Sequence, residues 1–103
     1  ALARLGSNGD GNGSSGHLVA YLPPIPLQRL GDASFCTDHG LRYAYVAGAM
    51  ANGIASVELV EAMARAGMLG FFGAAGLHPN AVETAVDRLL AEIPGLPFGV
   101  NII

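Results

Sequence analysis

From residue 41 onward the rhythm of apolar and polar positions changes repeatedly, and each change predicts an element. Arg42–Ala47 (RYAYVA) is β-branched and aromatic enough for a short strand. Ser56 is placed to cap a helix whose first turn holds Glu58, where a carboxylate suits the helix dipole. Leu59, Val60, Met63 and Ala66 then share one face, and Gly67 supplies the stop. Met68–Gly73 (MLGFFG) is a continuous apolar run of strand length, the pattern of a strand buried on both faces. After a loop over 74–79, Asn80 with Glu83 gives a capping-box-like helix start. Val82, Ala85, Val86, Leu89, Leu90 and Ile93 keep a helical period until Pro94-Gly95, and Pro97–Ile103 (PFGVNII) predicts a third strand.

The order is therefore strand, helix, strand, helix, strand, with short connections. That alternation predicts an α/β fold with parallel strands and right-handed crossovers. A doubly wound sheet and a (β/α)8 barrel are both built this way, and three strands complete neither. The terminal run reads as a strand entering a core, so residues 41–103 are expected to be the first portion of a larger domain. Residues 1–19, with GSNGDGNGSSG at 6–16, have the composition of a flexible Gly/Ser-rich segment. Residues 20–40 open with the proline-stiffened YLPPIPLQRL and are expected to form an extended strap across the domain, a reading preferred to a polyproline ligand.

Composition narrows the class. At 103 residues the chain is one small domain at most. Its apolar stretches at 43–51 and 66–77 fall short of the roughly 18 residues that a membrane helix needs, and no basic region precedes an apolar one as in a signal peptide. A net charge of −3 with five scattered Lys and Arg lacks the clustered basic footprint of a nucleic-acid binder. A single cysteine forms no internal disulfide, so a reducing cytoplasm is expected.

Candidate chemistry sits where strands run into helices, because in parallel α/β folds those loops form the ligand face. Here they read Gly48-Ala49-Met50-Ala51-Asn52-Gly53, then Gly73-Ala74-Ala75-Gly76, then Asn101. Such small residues let a planar ring or a phosphate come close to the backbone, and they equally suit tight turns and close packing. A dinucleotide fingerprint is excluded on two counts: Met50 replaces the central glycine of G-x-G-x-x-G, and the second strand ends in GAAG without the ribose-binding acid. Cys36, Asp38 and His39 offer half a zinc site at most, or a Cys/His dyad with no sign of an activated thiol, and a structural role is preferred. His78 lies on the ligand face, where contact with substrate or phosphate competes with a plain helix-start role before Pro79. His17 reads as solvated, as do Glu58, Glu61 and Glu83 on their helix faces.

AGAMANGIASVELVEAMARAGMLGFFGAAGL, followed by a helix and PFGVN, resembles the N-terminal part of the nitronate monooxygenase-like FMN barrels. Within that superfamily, FCTDHGLRYAYVAGAMANGIAS is most similar to the PfaD-type trans-acting enoyl reductases of polyunsaturated fatty acid and polyketide synthases. The likeness runs from about Ala20 to Ile103 and implies the first three strands of an FMN-binding (β/α)8 barrel. It places Gly48, Ala49 and Met50 at the family's Ala-Pro-Met-type flavin turn, here without the proline, Asn101 at the flavin-binding asparagine, and Gly73 at the mouth. It implies an oxidoreductase in which FMN takes hydride from NADPH or NADH and passes it to the β-carbon of an enoyl thioester on an acyl carrier protein. No residue of this stretch inherits a catalytic acid or base role. A nitronate monooxygenase and a noncatalytic βαβ interaction fragment are the alternatives, the latter expected to bind no flavin. A barrel of this kind takes about 250 residues, so residues 1–103 alone are expected neither to hold FMN nor to fold cooperatively.

Overall fold

The computed structural model describes residues 2–5 and 17–103. Strand β1 (Leu2–Leu5) pairs antiparallel with β2 (His17–Tyr21), joining Leu2 to Tyr21 and Leu5 to His17. No strand was expected within residues 1–19; residues 6–16, the Gly/Ser-rich stretch, lie outside the described residues, as does the side chain of His17.

The segment 20–40 corrects the expectation of a wholly extended strap. It is extended only as far as Pro26, then takes a 3-10 turn at Leu27–Arg29 and a helix, α1, at Ala33–His39. Both ends of α1 are capped: Asp32 Oδ1 accepts the Ser34 N–H at 2.8 Å, and Gly40 closes the helix in the left-handed conformation at φ 65°. Those caps stand in the sequence as Asp-Ala-Ser and His-Gly. No helix was expected because α1 has no apolar stripe, and none of its residues is fully buried.

The remainder alternates as the sequence predicts: β3 (Val46–Ala47), α2 (Val57–Arg65), β4 (Leu69–Gly73), α3 (Pro79–Glu92) and β5 (Gly99–Asn101). The strands form one parallel sheet in the order β3-β4-β5, pairing Val46 with Leu69, Phe71 with Gly99 and Gly73 with Asn101. β3 is shorter than expected because the Arg42 and Tyr43 amides both donate to the Gly67 carbonyl, at 2.8 and 3.0 Å, and so bend instead of joining the ladder.

Ser56 caps α2 as predicted, its Oγ accepting the Leu59 N–H at 3.1 Å. The cap of α3 differs from the Asn80/Glu83 expectation. His78 takes that place, its Nδ1 accepting the Asn80 N–H at 3.1 Å, with Pro79 in the first helical turn. Proline has no N–H to satisfy and a φ already set for a helix, so it starts the helix earlier and moves Asn80 inside.

The core lies between the sheet and the two helices. Val60 and Ala64 of α2, Phe72 of β4 and Ala85 and Leu89 of α3 are buried together with Ala74 and Ile93. α2 sits close on β4 because residue 70 is glycine: a Cβ there would stand 3.0 Å from the Val60 Cα. The apolar stripes are narrower than the periodicity implied, since Leu59 and Leu90 face outward.

Glu61 is not solvated. Its side chain is 8% exposed and is gripped by Arg88, with Nε to Oε1 at 2.8 Å and Nη2 to Oε2 at 3.2 Å. Arg88 Nη1 also bonds Glu58 Oε1 at 2.8 Å, so a single guanidinium fork bridges α2 and α3. Helix periodicity shows which face a residue occupies; it does not show that a neighbouring helix brings an arginine over that face.

Candidate functional site

Because the three strands are parallel, the C-terminal ends of β3, β4 and β5 lie along one edge of the sheet. Gly48, Ala49 and Met50 leave β3 there. Among the described residues, no heavy atom beyond its chain neighbours stands within 4 Å of where a Gly48 Cβ would be, Ala49 is half-buried, and Met50 is 52% exposed. This part of the edge is open and bare.

The next part is closed. The loop after Met50 folds back across the end of β4, and a Cβ on Gly73 would overlap the Met50 carbonyl. Gly73 is therefore buried beneath the loop, and its missing side chain makes room for Met50. Backbone hydrogen bonds hold the crossing together. Gly73 N–H donates to Ala55 O at 3.0 Å, Gly53 N–H to Gly73 O at 2.8 Å, Asn52 N–H to Ala75 O at 2.8 Å, and Ala55 N–H to Met50 O at 3.1 Å.

Asn101 completes the row. It stands opposite Gly73 in the β4–β5 register, and its backbone carbonyl accepts from Ala74 at 2.9 Å and from Ala75 at 3.1 Å. Its exposed side chain bonds the Ile103 N–H through Oδ1 at 3.0 Å. The amide nitrogen of that side chain points to no acceptor among the described residues.

Of the residues singled out in the sequence, Met50 and Gly73 are brought into contact, Asn101 is tied to the loop just after Gly73, and Gly48 and Ala49 stand at the adjoining strand end. Two residues that the sequence placed in these loops without a role of their own take part. Asn52 has φ 59° and Gly76 has φ 84°, and the Asn52 Oδ1 fills the space that a Cβ on Gly76 would need. The signal was present in the Asn52-Gly53 pair, a turn dipeptide.

The loops of this edge, 48–53 and 73–76, and Asn101 contain no ionisable side chain. They offer bare backbone, one thioether and amides: an arrangement that can seat a flat, uncharged surface and has no group to move a proton at neutral pH. Beside the edge, a cavity of about 500 Å³ runs along α3, lined by Leu77, Val82, Val86 and Ile102 and by the acids Glu83 and Asp87. His78, whose Nδ1 is engaged as the cap, does not line it. Cys36, Asp38 and His39 lie on α1, where the His39 ring packs on Phe35 at 4.6 Å, and no cluster of three metal-ligating side chains occurs among the described residues.

Among the described residues, the ion pairs lie in the helix layer. The Glu58 carboxyl is held below its ordinary pKa, first by its backbone hydrogen bond at the start of α2 and then by Arg88. The Arg88 guanidinium is raised, chiefly by its hydrogen bond to Glu61. No helix among the described residues is long and apolar enough to cross a membrane.

No family model matches the chain. Known proteins do. The chain is 46% identical over 82 residues to the polyketide biosynthesis protein ThaF of Burkholderia thailandensis, a match covering 79% of this chain and 7% of that protein. It is 45% identical over 80 residues to the polyketide biosynthesis protein PksE of Bacillus subtilis, covering 77% of this chain and 10% of that one. A polyunsaturated fatty acid synthase component of a Thraustochytrium species is 44% identical over 82 residues, covering 80% of this chain and 4% of that protein. Among solved structures, the chain superposes on the enoyl reductase domain of MlnA, from the macrolactin biosynthesis cluster of Bacillus amyloliquefaciens. The TM-score is 0.71 at 47% identity, over 75% of this chain and 18% of that chain. The chain thus spans a tenth or less of the length of these three curated relatives, and under a fifth of the solved chain.

Proposed function

From the premise that this chain is homologous to part of the PfaD-type enoyl reductases of polyketide and polyunsaturated fatty acid synthases, we propose that it forms the first units of an FMN-binding (β/α)8 barrel that reduces enoyl thioesters. The substrate would be presented by an acyl carrier protein, with the reductase acting in trans on a synthase. The observation that carries this reading is the likeness to an enoyl reductase domain, at 47% identity and a TM-score of 0.71 over 75% of this chain.

The residues present fit a flavin. Gly48 leaves open space above the backbone, the exposed Met50 thioether is a soft partner for an aromatic ring, and the Asn101 amide nitrogen faces no acceptor among the described residues. Gly48, Ala49 and Met50 would form the floor for the ring, and Asn101 would anchor it through its amide. Gly73 would serve from beneath by letting the Met50 carbonyl descend. When bound, FMN supplies the hydride chemistry, from NADPH or NADH to the β-carbon of the enoyl thioester. The protein's own part here is to bind, to orient and to keep water from the apolar floor; acid or base help must come from residues outside this edge.

The test is a visible absorption spectrum of the purified full-length protein, with mass spectrometry of what denaturation releases. Oxidised FMN near one per chain is the expected result, and NADPH with an enoyl thioester on a carrier protein should cycle it. Turnover of a nitroalkane with oxygen, and none of the enoyl thioester, would replace the substrate assignment with that of a nitronate monooxygenase. A protein that stays colourless after addition of FMN would remove the flavin altogether. Asn101→Ala is expected to weaken FMN retention roughly tenfold, the effect of losing one polar anchor, and unchanged affinity would take Asn101 out of the site.

A further inference from the structure

Asn52 has a positive φ of 59°, and no other non-glycine among the described residues does. Left-handed backbone is uncommon outside glycine; asparagine tolerates it, and β-branched residues resist it strongly. The consequence here is positional. The left-handed turn at Asn52 sends the chain back over β4, so that its N–H meets Ala75 O at 2.8 Å and the next amide meets Gly73 O at 2.8 Å. Two residues earlier, the Met50 carbonyl rests on the bare Cα of Gly73. The Asn52 side chain reaches in the same direction, with Oδ1 packed against Gly76, itself left-handed at φ 84°.

We propose that Asn52 is a positioning residue that pins the first loop onto the second and thereby sets where Met50 stands at the open edge. The inference rests on the flavin reading above, because Met50 is one of the residues assigned to the flavin floor. Asn52 touches no ligand in this scheme; it acts through Met50. Glycine in its place keeps the turn and loses only the contact with Gly76. Valine opposes the turn itself.

The experiment compares Asn52→Gly, Asn52→Asp and Asn52→Val in the full-length protein, reading FMN affinity by fluorescence, the visible flavin band, and amide exchange at residues 50–55 and 73–77. Asn52→Val is expected to bind FMN roughly tenfold more weakly, with a displaced flavin band and faster exchange at Gly53 and Gly73. Asn52→Gly and Asn52→Asp are expected to stay close to the wild type. If Asn52→Val does not fold, Asn52→Ala, a milder strain, takes its place. Wild-type affinity, band and exchange in Asn52→Val would overturn the proposal. So would a lower melting temperature with an unmoved flavin band, which is all that a merely structural residue would give. Should the wild type take up no FMN, the flavin reading fails by itself, and exchange still decides the pin. Faster exchange in Asn52→Val than in Asn52→Gly sustains it, and equal exchange refutes it.

Discussion

The helix-covered layer and the open strand ends use small residues for opposite purposes. In the layer, Gly70 lets α2 settle on β4 so that Val60, Ala64, Phe72 and Leu89 close over one another. At the strand ends, Gly73 likewise admits a neighbour, the Met50 carbonyl, but Gly48 at the end of β3 admits nothing from the described residues. Two glycines at one edge, equal in any composition count, therefore differ in surroundings: one is packed against the Met50 carbonyl and the other has open space where a Cβ would be. A glycine's neighbour, more than its presence, is what tells packing from open space.

That contrast can be broken by substitution in the full-length protein. The largest effect is expected in the layer, where Leu89 has no exposed surface: Leu89→Ala should cost about 3–5 kcal/mol in denaturant unfolding. Gly73→Ala should follow at about 2–3 kcal/mol, because backbone has to move to admit the methyl. Gly48→Ala is the matching control, with a change in stability within about 0.5 kcal/mol. A Gly48→Ala variant as unstable as Gly73→Ala would erase the distinction between the two glycines.

A smaller loss is expected from Arg88→Ala, which strips Glu61 of its fork while Arg65 stands 3.9 Å away. The melting temperature should fall further than in Arg65→Ala, and adding Glu61→Gln should recover part of the loss by removing the stranded charge. The smallest effect is on pH dependence. A carboxyl whose folded pKa lies below its unfolded value stabilises the fold above the unfolded value, and that contribution disappears as pH falls through the folded one. Glu58 is such a group. Glu58→Gln should therefore flatten the acid limb of the stability profile and leave its neutral plateau nearly level, since the carboxylate is solvent-exposed.

The layer was legible in the sequence because periodicity carries it. Val60, Ala85, Leu89 and Ile93 fall on the predicted faces, Ser56 caps α2, and all of MLGFFG but its Met68 forms the central strand. What escaped depends on residues far apart in the chain. Glu61 looks like any surface glutamate until Arg88 arrives from α3, 27 residues later. α1 escaped because its signal lies only in its caps, and His78 displaced Asn80 as cap because Pro79 fixes the start of α3. At the edge, Gly48, Ala49, Met50, Gly73 and Asn101 could be chosen from topology and resemblance. That Gly73 lies beneath Met50, and that Asn52 turns the loop, required knowing where one loop crosses another.

The Asn101 carbonyl, which takes both the Ala74 and Ala75 amides, has a consequence for charge. Glycine- and alanine-rich loops after parallel strands often cradle anions with free N–H groups. Here the amides of Asn52, Gly53, Gly73, Ala74 and Ala75 are all turned inward onto carbonyls of the same edge. The second loop thus has the composition of a phosphate nest, but its Gly73, Ala74 and Ala75 amides are already engaged. A flat ligand lying on this floor would find a neutral resting place for its ring, and none of these five amides would be free to meet an anionic group.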